Sequence, residues 1–199
     1  MNPLRIGVLA SGGGTTLQSL IDACADGCLD ARIAAVLSNN SQSGAASRAL
    51  KHALPFAHLS GQTHPDPADL DRAICSILSD AGVELVMLAG YMKKLGPRTL
   101  ETFKGRILNT HPALLPKFGG QGMYGNRVHQ AVLDAGEQVT GITIHQVDAE
   151  YDTGPAIAQA EVPVMIDDTV ESLAARVQAR ERAFIIEILG QIAAGTLAL

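Results

Sequence analysis

Leu4-Arg5-Ile6-Gly7-Val8-Leu9-Ala10-Ser11-Gly12-Gly13-Gly14-Thr15-Thr16 is a mostly apolar run that ends in a glycine turn, and helical periodicity follows from Thr15 to Gly27. A strand passing straight into a helix through glycines is the opening of a βαβ unit. The pattern repeats down the chain. Ala31 to Leu37 reads as a strand, Ser43 to His52 as a helix, and a short strand falls near Ala57. Asp66-Pro67-Ala68-Asp69 starts the next helix with an Asp cap, proline at the first position and an acid in the first turn. That helix runs to about Ala81, Gly82 closes it, and Glu84 to Ala89 is the strand that follows. Strands alternating with helices of this length predict right-handed crossovers. The fold class is therefore α/β, a Rossmann-like, mostly parallel sheet with helices on both faces.

The alternation then changes. Thr140 to Val147 and Ala156 to Val164 are β-rich runs flanking only Asp148 to Pro155, too close for a helical crossover. They should pair as an antiparallel C-terminal extension of the sheet. Asp168-Thr169-Val170-Glu171 has the form of a capping box, opening a last helix that reaches about Ile192. Between Lys117 and Asn126, four glycines exclude a helix interior, leaving a lid or a plain surface loop.

At 199 residues the chain has the length of one domain, 1–199, with a sizeable core. Hydrophobic residues are 47% with no Trp, so the apolar content lies in Ala, Val, Ile and Leu, as a covered parallel sheet requires. A net charge of −5 argues against a nucleic-acid partner. No run of 18 apolar residues suggests a membrane span, and Met1 to Ile6 lacks the apolar region of a signal peptide. Cys24 and Cys28 are i, i+4 neighbours on the expected first helix, but no second ligand pair accompanies them. With Cys75 they make an odd number, so no disulfide framework or metal is expected and a reducing cytoplasm fits.

Asn109-Thr110-His111-Pro112 follows the apolar pair Ile107-Leu108. Residues i and i+2 of a strand share a face, and Pro112 ends the ladder. An amide and an imidazole thus emerge together where a strand stops, the edge at which open α/β sheets bind ligands. A turn role for Asn109 and a hydrogen-bonded structural His111 is the alternative. Asp152-Thr153-Gly154-Pro155 is a turn after the strand ending at His145, so Asp152 can fold back toward His111 and orient it. Donor, titrating base and carboxylate together suit acyl transfer to an amine. Asp148, Glu150 and Asp152 lack the Gly and terminal Glu of a calcium loop. Ser11 to Thr16 is neither a dinucleotide fingerprint nor a Walker loop, yet a glycine turn at a helix N-terminus suits a single phosphate monoester. Tight packing alone is the competing reading.

Taken in order, these segments resemble the folate-dependent phosphoribosylglycinamide formyltransferase family of purine synthesis. The resemblance rests on Asn109 to Pro116, on His145 with Asp152-Thr153-Gly154-Pro155, and on Ser11 to Thr16. Leu88-Ala89-Gly90-Tyr91-Met92-Lys93 and Arg176-Val177-Gln178 with Glu181 add to it. It implies a catalytic set of Asn109, His111 and Asp152. It implies that Gly13, Gly14, Thr15, Thr16 and Gln178 hold the substrate's phosphate and Glu181 its ribose. Met92, Lys93, Leu95, Ala149, Glu150 and His145 would line the folate pocket. The N-terminal half, about 1–105, would then bind phosphate, and the half from about 106 to 199 would carry folate and catalysis. The co-substrate would be 10-formyltetrahydrofolate and the acceptor glycinamide ribonucleotide, with no metal, in a cytoplasmic monomer or homodimer. Thr16 stands where the family has Asn, Lys93 where it has Arg, Pro65 to Pro67 where an Arg is common, and the loop from Phe118 to Arg127 is longer. A formyltetrahydrofolate hydrolase would share the three catalytic side chains without the phosphate turn. A methionyl-tRNA formyltransferase would need a longer chain and a basic surface. A non-catalytic phosphate-ligand module would have lost one of the three.

Overall fold

The computed structural model describes residues 2–199. In chain order its elements are β1 (Leu4–Leu9), α1 (Thr15–Ala25), β2 (Ala31–Ser38), α2 (Gly44–Lys51), β3 (Phe56–His58), α3 (Pro67–Asp80) and β4 (Leu85–Leu88). They continue as α4 (Pro97–Thr102), β5 (Ile107–His111), α5 (Asn126–Asp134), β6 (Val139–Gln146), β7 (Ala156–Pro163) and α6 (Val170–Ala193). The seven strands form one sheet in the order β3-β2-β1-β4-β5-β6-β7. β1 pairs in parallel with β2 and β4, and β2 in parallel with β3. β6 and β7 are antiparallel, with Ile142 opposite Ala160. The α/β architecture and the antiparallel extension are those the sequence pattern predicts.

Two compact units make up the chain, one running through Leu108 and resuming at Leu189–Leu199, the other Asn109–Ile188. In the first unit β4 is buried throughout and β1 from Ile6 onward, because helices cover both faces of a parallel sheet. In the second, β7 alternates between exposed and buried positions over much of its length, the signature of a strand with one wet face. Strand order reverses direction between β1 and β4, so the loops leaving these two strands flank a topological switch point.

Some helix boundaries differ from the sequence reading, each for a physical reason. No local cap signals α4 in the sequence, because Gly96 has no side chain to offer its first turn. The Asp71 carboxylate on α3 accepts the N–H groups of Arg98 (2.8 Å) and Thr99 (3.0 Å) and the Thr99 hydroxyl (2.6 Å) instead. α5 was hidden behind the glycines that precede it. The capping box of α6 is shifted by one residue. Thr169 N–H donates to Ser172 Oγ (2.9 Å), and Ser172 N–H to Thr169 Oγ1 (3.2 Å). Asp168 is thereby freed to grip Arg176 through both Nη atoms (2.6 and 2.8 Å). Cys28 lies beyond the end of α1, so it and Cys24 do not share a helix face.

Candidate active site

In the second unit, β5 delivers Asn109 and His111 to one face and Thr110 to the other, as strand alternation requires. His145 is the penultimate residue of β6, and the turn leading to β7 returns Asp152. Asp152 adopts a left-handed backbone conformation (φ 59°), which Asp tolerates better than most residues. Its carboxylate lies between two imidazoles, Oδ2 at 3.4 Å from His111 Nδ1 and Oδ1 at 3.5 Å from His145 Nε2. Four functional side chains therefore meet in one buried cluster, His111 and His145 both almost fully enclosed.

The hydrogen bonds fix which atom of each ring can do chemistry. A carbonyl can only accept, so His145 Nδ1 donates to Gln146 O (2.8 Å). An amide nitrogen can only donate, so His145 Nε2 accepts from Asn109 Nδ2 at 3.1 Å. That contact orients the Asn109 amide, whose second N–H remains available. His111 Nε2 likewise donates to Phe118 O (2.7 Å), so Nδ1, facing Asp152, is where a second proton would sit. Gly120 N–H donates to Asp152 Oδ2 (3.0 Å). The glycine-rich loop thus holds both members of the His111–Asp152 pair through its backbone, a role no side-chain motif announces.

Burial pushes the His111 imidazole below the ordinary histidine value, while the Asp152 charge and the Phe118 carbonyl pull it back part of the way. Burial acting alone would raise the Asp152 carboxyl. The neighbouring His145 and His111 imidazoles and the Gly120 N–H outweigh it and set the carboxyl below its usual range. The carboxylate is therefore ionised at neutral pH and ready to stabilise a proton arriving on His111.

On the other face of β5, Thr110 Oγ1 donates to Glu181 Oε1 (2.5 Å) on α6. Burial raises the Glu181 carboxyl, and the Thr110 hydroxyl and Arg182 oppose that shift. Gln178, one turn earlier on α6, is exposed. Ala149 and Glu150 lie exposed in the turn before Asp152.

In the first unit, the glycine turn runs from β1 into α1. Ser11 N–H donates to Gly90 O (3.1 Å), and Met92 N–H donates to Ser11 Oγ (2.8 Å), so the turn is bound to the segment after β4. Gly14, with φ 69°, is the N-cap of α1 and Thr15 its first residue, while Thr16 is half-buried. Of the segment after β4, Met92 and Lys93 are exposed and Leu95 is buried. Thr110, Phe118, Gly120 and the contact of His145 with Asn109 were not foreseen from the sequence. Only the i, i+2 spacing of Asn109 and His111 pointed toward them.

A formyl transferase family model matches residues 4–189. The chain belongs to the formyl transferase family. It is 40% identical over 177 residues to the phosphoribosylglycinamide formyltransferase of Haemophilus influenzae, covering 89% of this chain and 81% of that protein. To the chloroplastic phosphoribosylglycinamide formyltransferase of Arabidopsis thaliana it is 38% identical over 189 residues, 94% of this chain but 65% of that longer protein. Among solved structures, glycinamide ribonucleotide transformylase 1 of Symbiobacterium toebii superposes with a TM-score of 0.91 at 38% identity. That match covers 100% of this chain and 91% of the other. No helix among the described residues is long and apolar enough to cross a membrane.

Proposed function

We propose that this chain transfers the formyl group of 10-formyltetrahydrofolate to the primary amine of glycinamide ribonucleotide, a step of de novo purine biosynthesis. The observation that carries the reading is the cluster of Asn109, His111, His145 and Asp152, in which an oriented amide donor, a buried imidazole and an ionised carboxylate converge. The names of the relatives supply the acceptor and the group transferred, and the family resemblance of the sequence supplies the folate donor.

In this mechanism the amine nitrogen attacks the formyl carbon, and the carbonyl π pair moves onto oxygen. The free N–H of Asn109 donates to the resulting oxyanion. His111, neutral-leaning through burial, gains affinity for a proton as negative charge develops, and Asp152 stabilises the imidazolium. The nitrogen that attacked loses its extra proton through water toward Asp152, and the folate nitrogen receives one as its bond to the formyl carbon breaks. The products are the formylated amide and tetrahydrofolate.

The glycine turn, Gly13 to Thr16, takes the 5′-phosphate together with Gln178, and Glu181 takes the ribose hydroxyls. Met92, Lys93 and Leu95, with Ala149 and Glu150, line the folate pocket. His145 acts in this reading on Asn109 more than on folate. Functionally the chain is one domain, with phosphate binding in its N-terminal half, and it works in the cytoplasm as a monomer or homodimer with its three cysteines unpaired.

Formyl release measured with and without glycinamide ribonucleotide tests the reading. Transfer that depends on the amine supports it. Release at the same rate without the amine makes the chain a hydrolase and overturns it.

A further inference from the structure

Every carbonyl of the glycine turn is tied down, and one tie comes from a side chain no motif marks. Gly12 O accepts from Ala45 N–H (3.2 Å), Gly13 O from Arg48 Nε (3.1 Å), and Gly14 O from Gln18 N–H (2.9 Å), the opening bond of α1. In a planar trans peptide, a carbonyl and the N–H that follows it point in opposite directions. Holding the Gly12 and Gly13 carbonyls toward α2 therefore turns the Gly13 and Gly14 N–H groups away from α2. Among the described residues neither of these N–H groups donates to another group.

α2 stands close behind the turn. A Cβ on Gly44 would lie 2.4 Å from Gly13 O, and one on Gly14 would lie 2.7 Å from Ala45 Cα. Arg48 is itself held in place, because its Nη1 donates to Gln18 Oε1 (2.9 Å) and Gln18 Nε2 donates to Asp22 Oδ1 (2.8 Å). The guanidinium is thus fixed between α1 and the turn.

We propose that Arg48 is a positioning residue for the substrate's phosphate. It locks the Gly13–Gly14 peptide with its N–H outward and sets a permanent positive charge behind the turn. The inference rests on the phosphate role proposed for the turn. Lysine would supply the charge but not a rigid fork engaging Gly13 O and Gln18 together.

The test compares wild type, Arg48→Met and Arg48→Lys by steady-state formyl transfer, by competition with inorganic phosphate, and by thermal unfolding. Arg48→Met should raise KM for glycinamide ribonucleotide and weaken phosphate competition by about tenfold, the scale of one charge-assisted hydrogen bond. kcat and KM for 10-formyltetrahydrofolate should hold. Arg48→Lys should recover part of the loss at low ionic strength and none at high, where distant charge is screened and only the peptide lock remains to be missed. Equal losses in both KM values and kcat, tracking a lowered unfolding midpoint, would make Arg48 merely structural and overturn the inference. If phosphate competes with the nucleotide in wild type and equally well in Arg48→Met, the assignment of Arg48 fails while the phosphate turn stands. If phosphate does not compete in wild type, the turn's phosphate role fails and takes the inference with it.

Discussion

Replacing Asn109 and His145 singly and together separates two accounts of the cluster. Asn109 Nδ2 carries two N–H bonds, one directed at His145 Nε2 (3.1 Å) and the other left for the oxyanion. Asn109→Ala removes the oxyanion donor, which typically costs about 10²–10³ in kcat, or about 3–4 kcal/mol. His145→Ala leaves the donor but removes the acceptor that orients it. That hydrogen bond is worth about 1 kcal/mol net, so turnover should fall roughly five- to tenfold as the amide becomes free to turn its oxygen toward the anion. In the double variant nothing remains to be oriented. Its rate should match Asn109→Ala alone, apart from a small further loss through the 3.5 Å contact of His145 with Asp152. Single-turnover formyl transfer with both substrates saturating measures this cycle. Two independent effects would instead multiply to about 10³–10⁴. A multiplicative double variant, or a His145→Ala whose main defect is a raised folate KM, would refute amide orientation and restore His145 to the folate pocket.

Four further outcomes follow from the geometry. Asp152→Asn removes the charge that pulls the His111 imidazole upward, so the histidine-linked limb of the pH–rate profile should move to lower pH; an unmoved limb assigns it to another group. Burial depresses His111 and His129 in the folded chain, so the unfolded chain binds more protons between their folded values and the ordinary histidine value. Stability should therefore rise with pH through that window and be complete above it, which unfolding midpoints across the acid range will test. Thr15→Asp puts a carboxylate at the exposed first residue of α1, so nucleotide KM should rise steeply while folate KM holds; the reverse pattern would exchange the two half-sites. Thr110→Val should raise nucleotide KM roughly three- to tenfold by leaving half-buried Glu181 short of a donor, with Thr110→Ser close to wild type; equal effects of the two would deny the hydroxyl its role.

Much of this protein was legible in its sequence because the deciding signals are local. Strand periods, the Asp66 cap, the glycine turn after β1 and the spacing of Asn109 from His111 depend on near neighbours, and backbone geometry converts them directly into elements and faces. The approach of Asp152 to His111 was inferable from a turn following a strand. Tertiary structure decided whatever depends on partners distant in sequence. Asp71 caps α4 from 27 residues away, Thr110 reaches Glu181 across 71, and Arg48 holds a carbonyl 35 residues before it. Burial, too, is collective: it pushes His111 down even with an ionised carboxylate beside it, and only the packed chain sets how much water that ring loses. Sequence specifies which groups a segment can offer, but partner, distance and dielectric arise only once the chain has closed on itself.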